Sequence, residues 1–478
     1  MHFKVNNRYT EVISDWEEGL RIIRGWCTKE YTYYGQDWSQ KPPRRVKKVD
    51  NITYFKNNLF PTGWAGRFIE DFKSLGDEVV GGRGLYKNIT WEDCRKKPPF
   101  KPPLKGNVFP LRDYQQEALD ASIISARGII HHATGAGKTV VMAKLLETLA
   151  LPSIVIVPTI NLLLQTSEDL IGFLGEEVIG VIGNGVFNPK LITVATVQSL
   201  WSKIKADDHE LKKVFHEAHV LIVDEAHHIT IAGRNKIKNT YFQIAQLLDT
   251  YYKFGLTATP GEEGELEREL LEAATGRVIH RVDSSYLIKR GLLTRPVIQL
   301  YKVTPSMRIS DWQAAYRQNI LRNAKRNSIV VSLANKYSDQ GKSVLIIVNR
   351  VAEHGGVLQE LLPHAFFMSG DTNIDDRKMM LNDFKDKKTL ILISTVINEG
   401  VNIPSMDVII MAGGGKSNKQ TIQRVGRALR KSKGKEIARI IDFYDADNGM
   451  LERHSKARLK TYKQEAEFEI LPMVEEKV

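Results

Sequence analysis

The chain reads as two consecutive α/β domains, each built on a parallel sheet, behind a small α+β domain. Three observations predict this. Short, fully apolar runs recur from residue 128 onward, each followed by a helix-length segment, as expected for strands buried on both faces of a parallel sheet. A basic, proline-rich stretch, Arg95-Lys96-Lys97-Pro98-Pro99-Phe100-Lys101-Pro102-Pro103-Leu104-Lys105, cuts them off from what precedes, because paired prolines remove backbone donors and favour extended chain. The strand and helix alternation then starts afresh near residue 300. The expected domains are residues 1–105, 106–300 and 301–478.

The first of these carries many aromatics (Tyr31, Tyr33, Tyr34, Trp38, Tyr54, Phe55, Trp64, Phe68) and a basic run from Lys41 to Lys48. Val5 to Ile13 and Val49 to Phe55 have strand character, and Gly63 to Leu75 places Trp64, Phe68, Ile69 and Phe72 on one side of a helix. Two readings stand: a small aromatic core with a solvated basic face, or aromatics that stack on bases beside cations that neutralise phosphates. As a patch, Arg44, Arg45, Lys47 and Lys48 are the candidate DNA contacts.

The second domain opens with Phe109-Pro110-Leu111-Arg112-Asp113-Tyr114-Gln115, where a glutamine amide offers the donor and acceptor needed to read an adenine edge. Gly128-Ile129-Ile130 is a strand, and Val140 to Leu146 a buried helix. Thr134-Gly135-Ala136-Gly137-Lys138-Thr139 lies between them. Glycines before a helix let a polyphosphate approach the free amides of the first turn and the positive end of the dipole. Lys138 would reach the β- and γ-phosphates, and the Thr139 hydroxyl would reach Mg²⁺. His132 stands where the general phosphate-loop pattern has its first glycine.

Ile154 to Pro158 and Thr193 to Ser199 are further buried strands with their turns, and ligands bind at such carboxyl ends. Val220-Leu221-Ile222-Val223 ends in Asp224-Glu225-Ala226-His227. Asp224 is suited to hold Mg²⁺, and Glu225 to orient and deprotonate an attacking water. Leu256-Thr257-Ala258-Thr259-Pro260 closes another strand with short hydroxyl residues that can link the carboxylates to a neighbouring site.

The third domain has strands at Ser343 to Arg350, Thr389 to Thr395, Asp407 to Met411 and Arg439 to Asp442, but no second phosphate loop. Its singular feature is Gln423-Arg424-Val425-Gly426-Arg427-Ala428-Leu429-Arg430. Arg427 and Arg430 share a helix face, and two guanidinium groups aimed at a transferring γ-phosphoryl group would serve as arginine fingers.

Composition narrows the partners. A formal charge of +12 favours a polyanion. Two cysteines, Cys27 and Cys94, cannot form a disulfide framework or a zinc site by themselves. No run approaches a membrane span and the first residues have no signal-peptide core, so a soluble, intracellular (cytoplasmic) protein without a membrane partner is expected.

Together, Gln115, Gly135-Ala136-Gly137-Lys138-Thr139, Asp224-Glu225-Ala226-His227, Thr257-Ala258-Thr259, Thr395 with Glu399-Gly400, and Gln423-x-x-Gly426-Arg427-x-x-Arg430 resemble the superfamily 2 helicases over about residues 108 to 445. The resemblance implies two tandem RecA-like domains with ATP and Mg²⁺ between them and a nucleic-acid strand across both. It implies nucleotide contacts from Arg112, Gln115 and Thr134 to Thr139, and a catalytic place for Gln423 beside Lys138, Glu225, Arg427 and Arg430. Thr159, Thr196, Gln198, Arg350, Ser369, Gly370 and Thr395 would touch the nucleic-acid backbone. Asn402 departs from the aspartate many members carry after the fifth motif's glycine.

Within that superfamily, Tyr34-Gly35-Gln36-Asp37-Trp38 and Leu59-Phe60-Pro61-Thr62-Gly63 resemble the phage recombination helicases. This implies a motor on branched DNA, by fork regression, Holliday-junction branch migration and D-loop unwinding, in recombination, repair or replication; contacts to phosphates and sugars predict little sequence preference among branched, forked or duplex DNA, and a monomer is expected. An RNA helicase, or a binding protein that uses ATP as a clamp without processive movement, are the alternatives.

Overall fold

The computed structural model describes residues 1–37, 44–74, 79–80, 83–84, 89–107, 109–229, 239–305, 307, 309, 311–395, 406–415, 425–426, 429–431, 435–447 and 449–475, with only the backbone of 31–37, 44–48, 72–74, 79–80, 83–84 and 374. Two compact units emerge. One is Met1–His132 with Gly137–Arg281, and the other is Ala133–Ala136 with Val282–Val478.

The N-terminal module contributes strands β1 (His2–Val5), β2 (Tyr9–Ile13), β3 (Thr28–Asp37), β4 (Arg44–Thr53), β5 (Leu59–Pro61), β6 (Val79–Val80), β7 (Arg83–Gly84) and β8 (Thr90–Asp93), and helices α1 (Glu17–Trp26) and α2 (Ala65–Ser74). The single strand expected from Val5 to Ile13 is instead a hairpin. Asn6 donates its backbone N–H to Tyr9, and β1 and β2 pair antiparallel, with Phe3 opposite Val12. β5, β2, β1 and β8 form one sheet, and β3 and β4 form a separate two-stranded ribbon. Phe3, Phe60, Trp64 and Phe68 are fully buried. Phe3 stacks on Trp91 at 4.3 Å and Trp26 meets Phe68 edge-on at 5.1 Å. These aromatics are core, so Trp64 and Phe68 are not available to stack on bases.

The module is seated on helix Leu266–Thr275 of the same unit. Trp64 donates its indole N–H to the Glu269 carbonyl at 2.8 Å, Arg67 pairs with the Glu269 carboxylate, and Lys29 reaches it at 3.3 Å. Gly63 packs directly on the backbone of Glu272 and Ala273, where a Cβ could not fit.

The first large sheet consists of β9 (Arg127–His132), β10 (Ser153–Val157), β11 (Ile179–Gly183), β12 (Val186–Asn188), β13 (Ile192–Thr196), β14 (Val220–Asp224), β15 (Tyr252–Thr257) and β16 (Val278–Val282), ordered β12-β11-β13-β10-β14-β15-β9-β16. Its apolar runs feed two cores because successive strand residues face opposite ways. Val155, Val220 and Ile222 join helices α3 (Asp113–Ser125), α4 (Lys138–Leu149) and α5 (Ile160–Leu174) on one face. Ile154, Ile156, Leu221 and Val223 join Leu200, Ile244 and Leu271 on the other.

The second large sheet consists of β17 (Arg295–Val303), β18 (Val344–Ile347), β19 (Phe366–Met368), β20 (Ile391–Ser394), β21 (Val408–Ile410), β22 (Ile437–Asp445), β23 (Glu469–Ile470) and β24 (Val474–Glu475). β19-β20-β18-β21-β22-β17-β23 is its order, with β24 also on β17, and the pairings among the described residues are parallel. β17 lies near one edge, between β22 and the short β23 and β24, which puts residues 295–300 with this sheet and not with the preceding domain as the sequence predicts. Two arginines lie buried at the carboxyl end of β22. Arg458 binds Asp442 through Nε at 2.8 Å, and Arg326 binds Asp445 at 2.5 Å with its ring-stacked guanidinium 4.2 Å from the centre of Phe443.

Candidate active site

The site grows from the carboxyl ends of β9, β14 and β15, which are neighbours or next neighbours in the first sheet. After β9 the chain turns through Gly135 (φ 88°) and Gly137 (φ 79°), both in the left-handed region that favours glycine, and Ala136 N–H closes the turn on Ala133. Gly137 is the N-cap of α4 and brings no side chain to cap it, so no side chain covers the positive end of the helix where a ligand would approach. Lys138, the first residue of α4, bends back so that Nζ lies 3.4 Å from the His132 carbonyl. An uncapped helix start, two left-handed glycines and a lysine folded over them fit a polyphosphate.

Gln115 sits in the first turn of α3. Its Oε1 accepts the Arg112 backbone N–H at 3.0 Å, and its Nε2 lies 2.6 Å from where a Cβ on Gly137 would stand. The glutamine amide and the phosphate loop are therefore in contact, and any side chain at 137 would push them apart.

Asp224 ends β14, nearly buried, and one of its oxygens accepts the Glu225 N–H at 2.9 Å. Glu225 adopts φ 46°, ψ 48°, a left-handed conformation that is strained for a residue with a Cβ. That turn aims consecutive carboxylates differently. Glu225 Oε2 has no hydrogen-bond partner and lies 3.4 Å from His227 Nδ1. His227 in turn meets the Thr257 hydroxyl at 3.1 Å, and Thr257 accepts the Thr259 N–H at 3.1 Å. A chain of contacts thus joins the β14 carboxylate to the turn after β15. Gly255 permits it, since a Cβ there would reach 3.0 Å from Ala226.

The sequence matches the family model of the type III restriction enzyme res subunit over residues 108–262 and that of the helicase conserved C-terminal domain over 324–432. It is 30% identical over 377 residues to the DNA 3'-5' translocase XPB2 of Sulfurisphaera tokodaii, covering 70% of this chain and 81% of that protein. The chain belongs to the superfamily 2 helicases. Among further relatives of this helicase, the ATP-dependent DNA helicase uvsW of Enterobacteria phage T4 is 24% identical, with 70% of this chain and 68% of that protein covered. The fold likewise matches the Saccharomyces cerevisiae Dbp5 bound to RNA and ADP BeF3, at TM-score 0.53 and 17% identity over 78% of this chain and 90% of that one. Its two large sheets are RecA-like domains, and the enzyme uses ATP.

Other sequence-predicted positions of the helicase divide by location. Thr159 and Thr196 follow the adjacent strands β10 and β13, and Gln198 donates to the Pro158 carbonyl at 3.2 Å, so the three share one strand-end region. The Thr159 and Thr196 hydroxyls already cap α5 and helix Val197–Lys205. In the second unit Arg350 is exposed after β18, and Ser369 and Gly370 form a turn whose carbonyls accept from Arg377. Thr395 follows β20 and donates its backbone N–H to Met368.

Arg430 pairs by its backbone with Leu293, and burial lowers its guanidinium below the ordinary arginine range. Gln423, Arg427, Glu399, Gly400 and Asn402 lie outside the described residues, as do the side chains of Arg44, Arg45, Lys47 and Lys48. The backbone of those four pairs Arg44 with Asp37, Arg45 with Gln36, Lys47 with Tyr34 and Lys48 with Tyr33 across the ribbon. No helix among the described residues is long and apolar enough to cross a membrane.

Sequence reasoning passed over His280 and Glu117. His280 bonds to His132 at 2.9 Å and lies 3.4 Å from Glu117, but an isolated histidine in an ordinary strand carries no signal of such a pairing.

Proposed function

We propose that this ATP-dependent DNA helicase is a motor that remodels branched DNA, regressing forks, migrating Holliday junctions and unwinding D-loops in recombination, repair or replication. The observation that carries the hydrolytic part is the contact chain Glu225–His227–Thr257–Thr259 beside an uncapped phosphate loop. DNA as the track is supported by two relatives that each match 70% of the chain and are a DNA translocase and a DNA helicase by name. A positive charge of +12 suits a phosphate backbone read without base contacts.

In this reading Gln115 and Arg112 orient the nucleobase, the loop of residues 134–139 with Lys138 holds the phosphates, and Glu225 positions the attacking water and takes its proton. Mg²⁺ arriving with the nucleotide would be held by Thr139 and Asp224 and would neutralise charge on the phosphate oxygens. Gln423, Arg427 and Arg430 supply the remaining polar and cationic groups to the transferring phosphoryl group. Thr159, Thr196, Gln198, Arg350, Ser369, Gly370 and Thr395 grip the DNA backbone, with backbone amides serving where hydroxyls are engaged in caps. Arg44, Arg45, Lys47 and Lys48, on one strand of the two-stranded ribbon, hold the duplex arm, and the protein works as a monomer.

The test is ATP hydrolysis compared on single strands, duplex, fork, four-way junction and RNA of equal length, with strand displacement followed in parallel. Fork and junction DNA should stimulate most and be remodelled. Equal or greater stimulation by RNA would favour an RNA helicase, and stimulation with no displacement would favour an ATP switch; either overturns the reading.

A further inference from the structure

Helix α3 carries more than the nucleobase-reading Gln115. One face of it, Tyr114 and Glu117 at i and i+3, holds a pair of histidines on the neighbouring strands β9 and β16. Tyr114 meets the ring of His132 edge-on at 6.0 Å. His132 Nε2 lies 2.9 Å from His280 Nδ1, and His280 Nε2 lies 3.4 Å from the Glu117 carboxylate. At the start of α3, the Arg112 guanidinium donates to the Tyr114 hydroxyl at 3.0 Å.

His132 is fully buried, and burial, followed by the charge of His280, pushes its imidazole down to about 3, so it is neutral at physiological pH. Glu117 as a carboxylate only accepts, so His280 donates to it through Nε2 and turns Nδ1 toward His132 Nε2. His132 Nδ1 is buried without a hydrogen-bond partner, so the bond to His280 is what ties this ring to α3. One carboxylate on α3 thereby sets both rings. His132 is also the last residue before the phosphate loop, and its carbonyl faces Lys138 Nζ. A shift of its ring moves the backbone that the lysine touches.

We propose that His132 and His280 are positioning residues that lock the start of α3 to the phosphate loop and so set the enzyme's affinity for ATP. The proposal rests on the reading that Gln115 and Lys138 bind the nucleotide. Neither histidine touches the reacting atoms, so their loss should act on KM and leave kcat nearly intact.

The experiment is steady-state ATP hydrolysis by the full chain at saturating DNA. His280→Ala should raise KM for ATP about tenfold with kcat within about twofold. His280→Asn, which returns a hydrogen-bonding group near the Nδ1 position, should recover most of the loss, and His280→Phe, which fills the space without one, should not. Glu117→Ala, at a position whose side chain is largely exposed, avoids a folding defect and should raise KM severalfold in the same direction. An unchanged KM in both His280→Ala and Glu117→Ala would overturn the proposal, as would equal rescue by asparagine and phenylalanine. Gln115→Ala, assayed for ATP against GTP, decides the underlying reading separately: an unaltered preference refutes nucleobase reading by Gln115, while the His280 data still judge the histidine pair.

Discussion

The two large sheets share a RecA-like fold and contrast most in their chemistry at the carboxyl ends of their strands. In the first sheet those ends remain chemically open: Gly137 brings no side chain to cap α4, Glu225 Oε2 lacks a hydrogen-bond partner, and Lys138 bends back toward the His132 carbonyl. In the second sheet the end of β22 is sealed, with Asp442 bound to Arg458 and to the Tyr462 hydroxyl, and Asp445 bound to Arg326. Carboxylates at equivalent strand ends thus do opposite work. One set is held ready for a ligand, and the other is neutralised inside the protein, where paired charges fix packing rather than chemistry.

The sharpest way to break this contrast is to exchange the consequences of mutation. Lys138→Ala should reduce ATP turnover by at least about a hundredfold, consistent with removing a charge that stabilises a transferring phosphoryl group, and leave the thermal melt unchanged. Retained turnover would mean the open end is not the reacting one. Arg458→Met should do the reverse, leaving Asp442 buried without its partner and lowering unfolding stability by about 3–5 kcal/mol. The double variant Arg458→Met/Asp442→Leu should regain most of that in a urea titration; no regain would show that the pair is not what seals β22.

A smaller effect separates the units by pH. His132 and His354, one in each unit, are fully buried, and burial first, then His280 and Arg326 respectively, lowers each to about 3. Their folded values lie below the 6.5 of an unconstrained histidine. The unfolded chain therefore binds the proton first, so their contribution is complete above that value and is lost as pH falls toward the folded ones. Each can contribute up to about 1.4 kcal/mol per pH unit in that window. Melts from pH 7 to pH 5 should show a slope that His354→Leu flattens, and an unaltered slope would contradict the assignment. Smallest of all, charge reversal at Arg44 and Arg45 should weaken junction binding severalfold at low salt and leave the DNA-free ATPase unchanged; undiminished binding would remove the β3–β4 ribbon from the DNA surface.

Much of the first sheet could be read from the chain. Ile154 to Val157 and Val220 to Val223 are apolar at every position because both faces of the sheet are covered, and the loop after β9 declares itself by its glycines. The hairpin between β1 and β2 was read as one strand because Asn6, Asn7 and Arg8 interrupt an otherwise strand-like run without a glycine or proline to mark the turn. Arg326 and Arg458 were invisible for a different reason: charged residues read as surface, and burial depends on aspartates more than a hundred residues away in one case and sixteen in the other. His132 showed only as a departure from a motif. Its partner His280 is 148 positions away, and only the adjacency of β9 and β16 joins them.

The central claim is that Glu225, at the open end of the first sheet, activates the water that cleaves ATP. The most direct measurement is DNA-stimulated hydrolysis together with ATP binding by Glu225→Gln. Turnover should fall at least about a hundredfold while ATP affinity stays within about threefold of the parent. Turnover close to the parent's, with the same affinity, would contradict it.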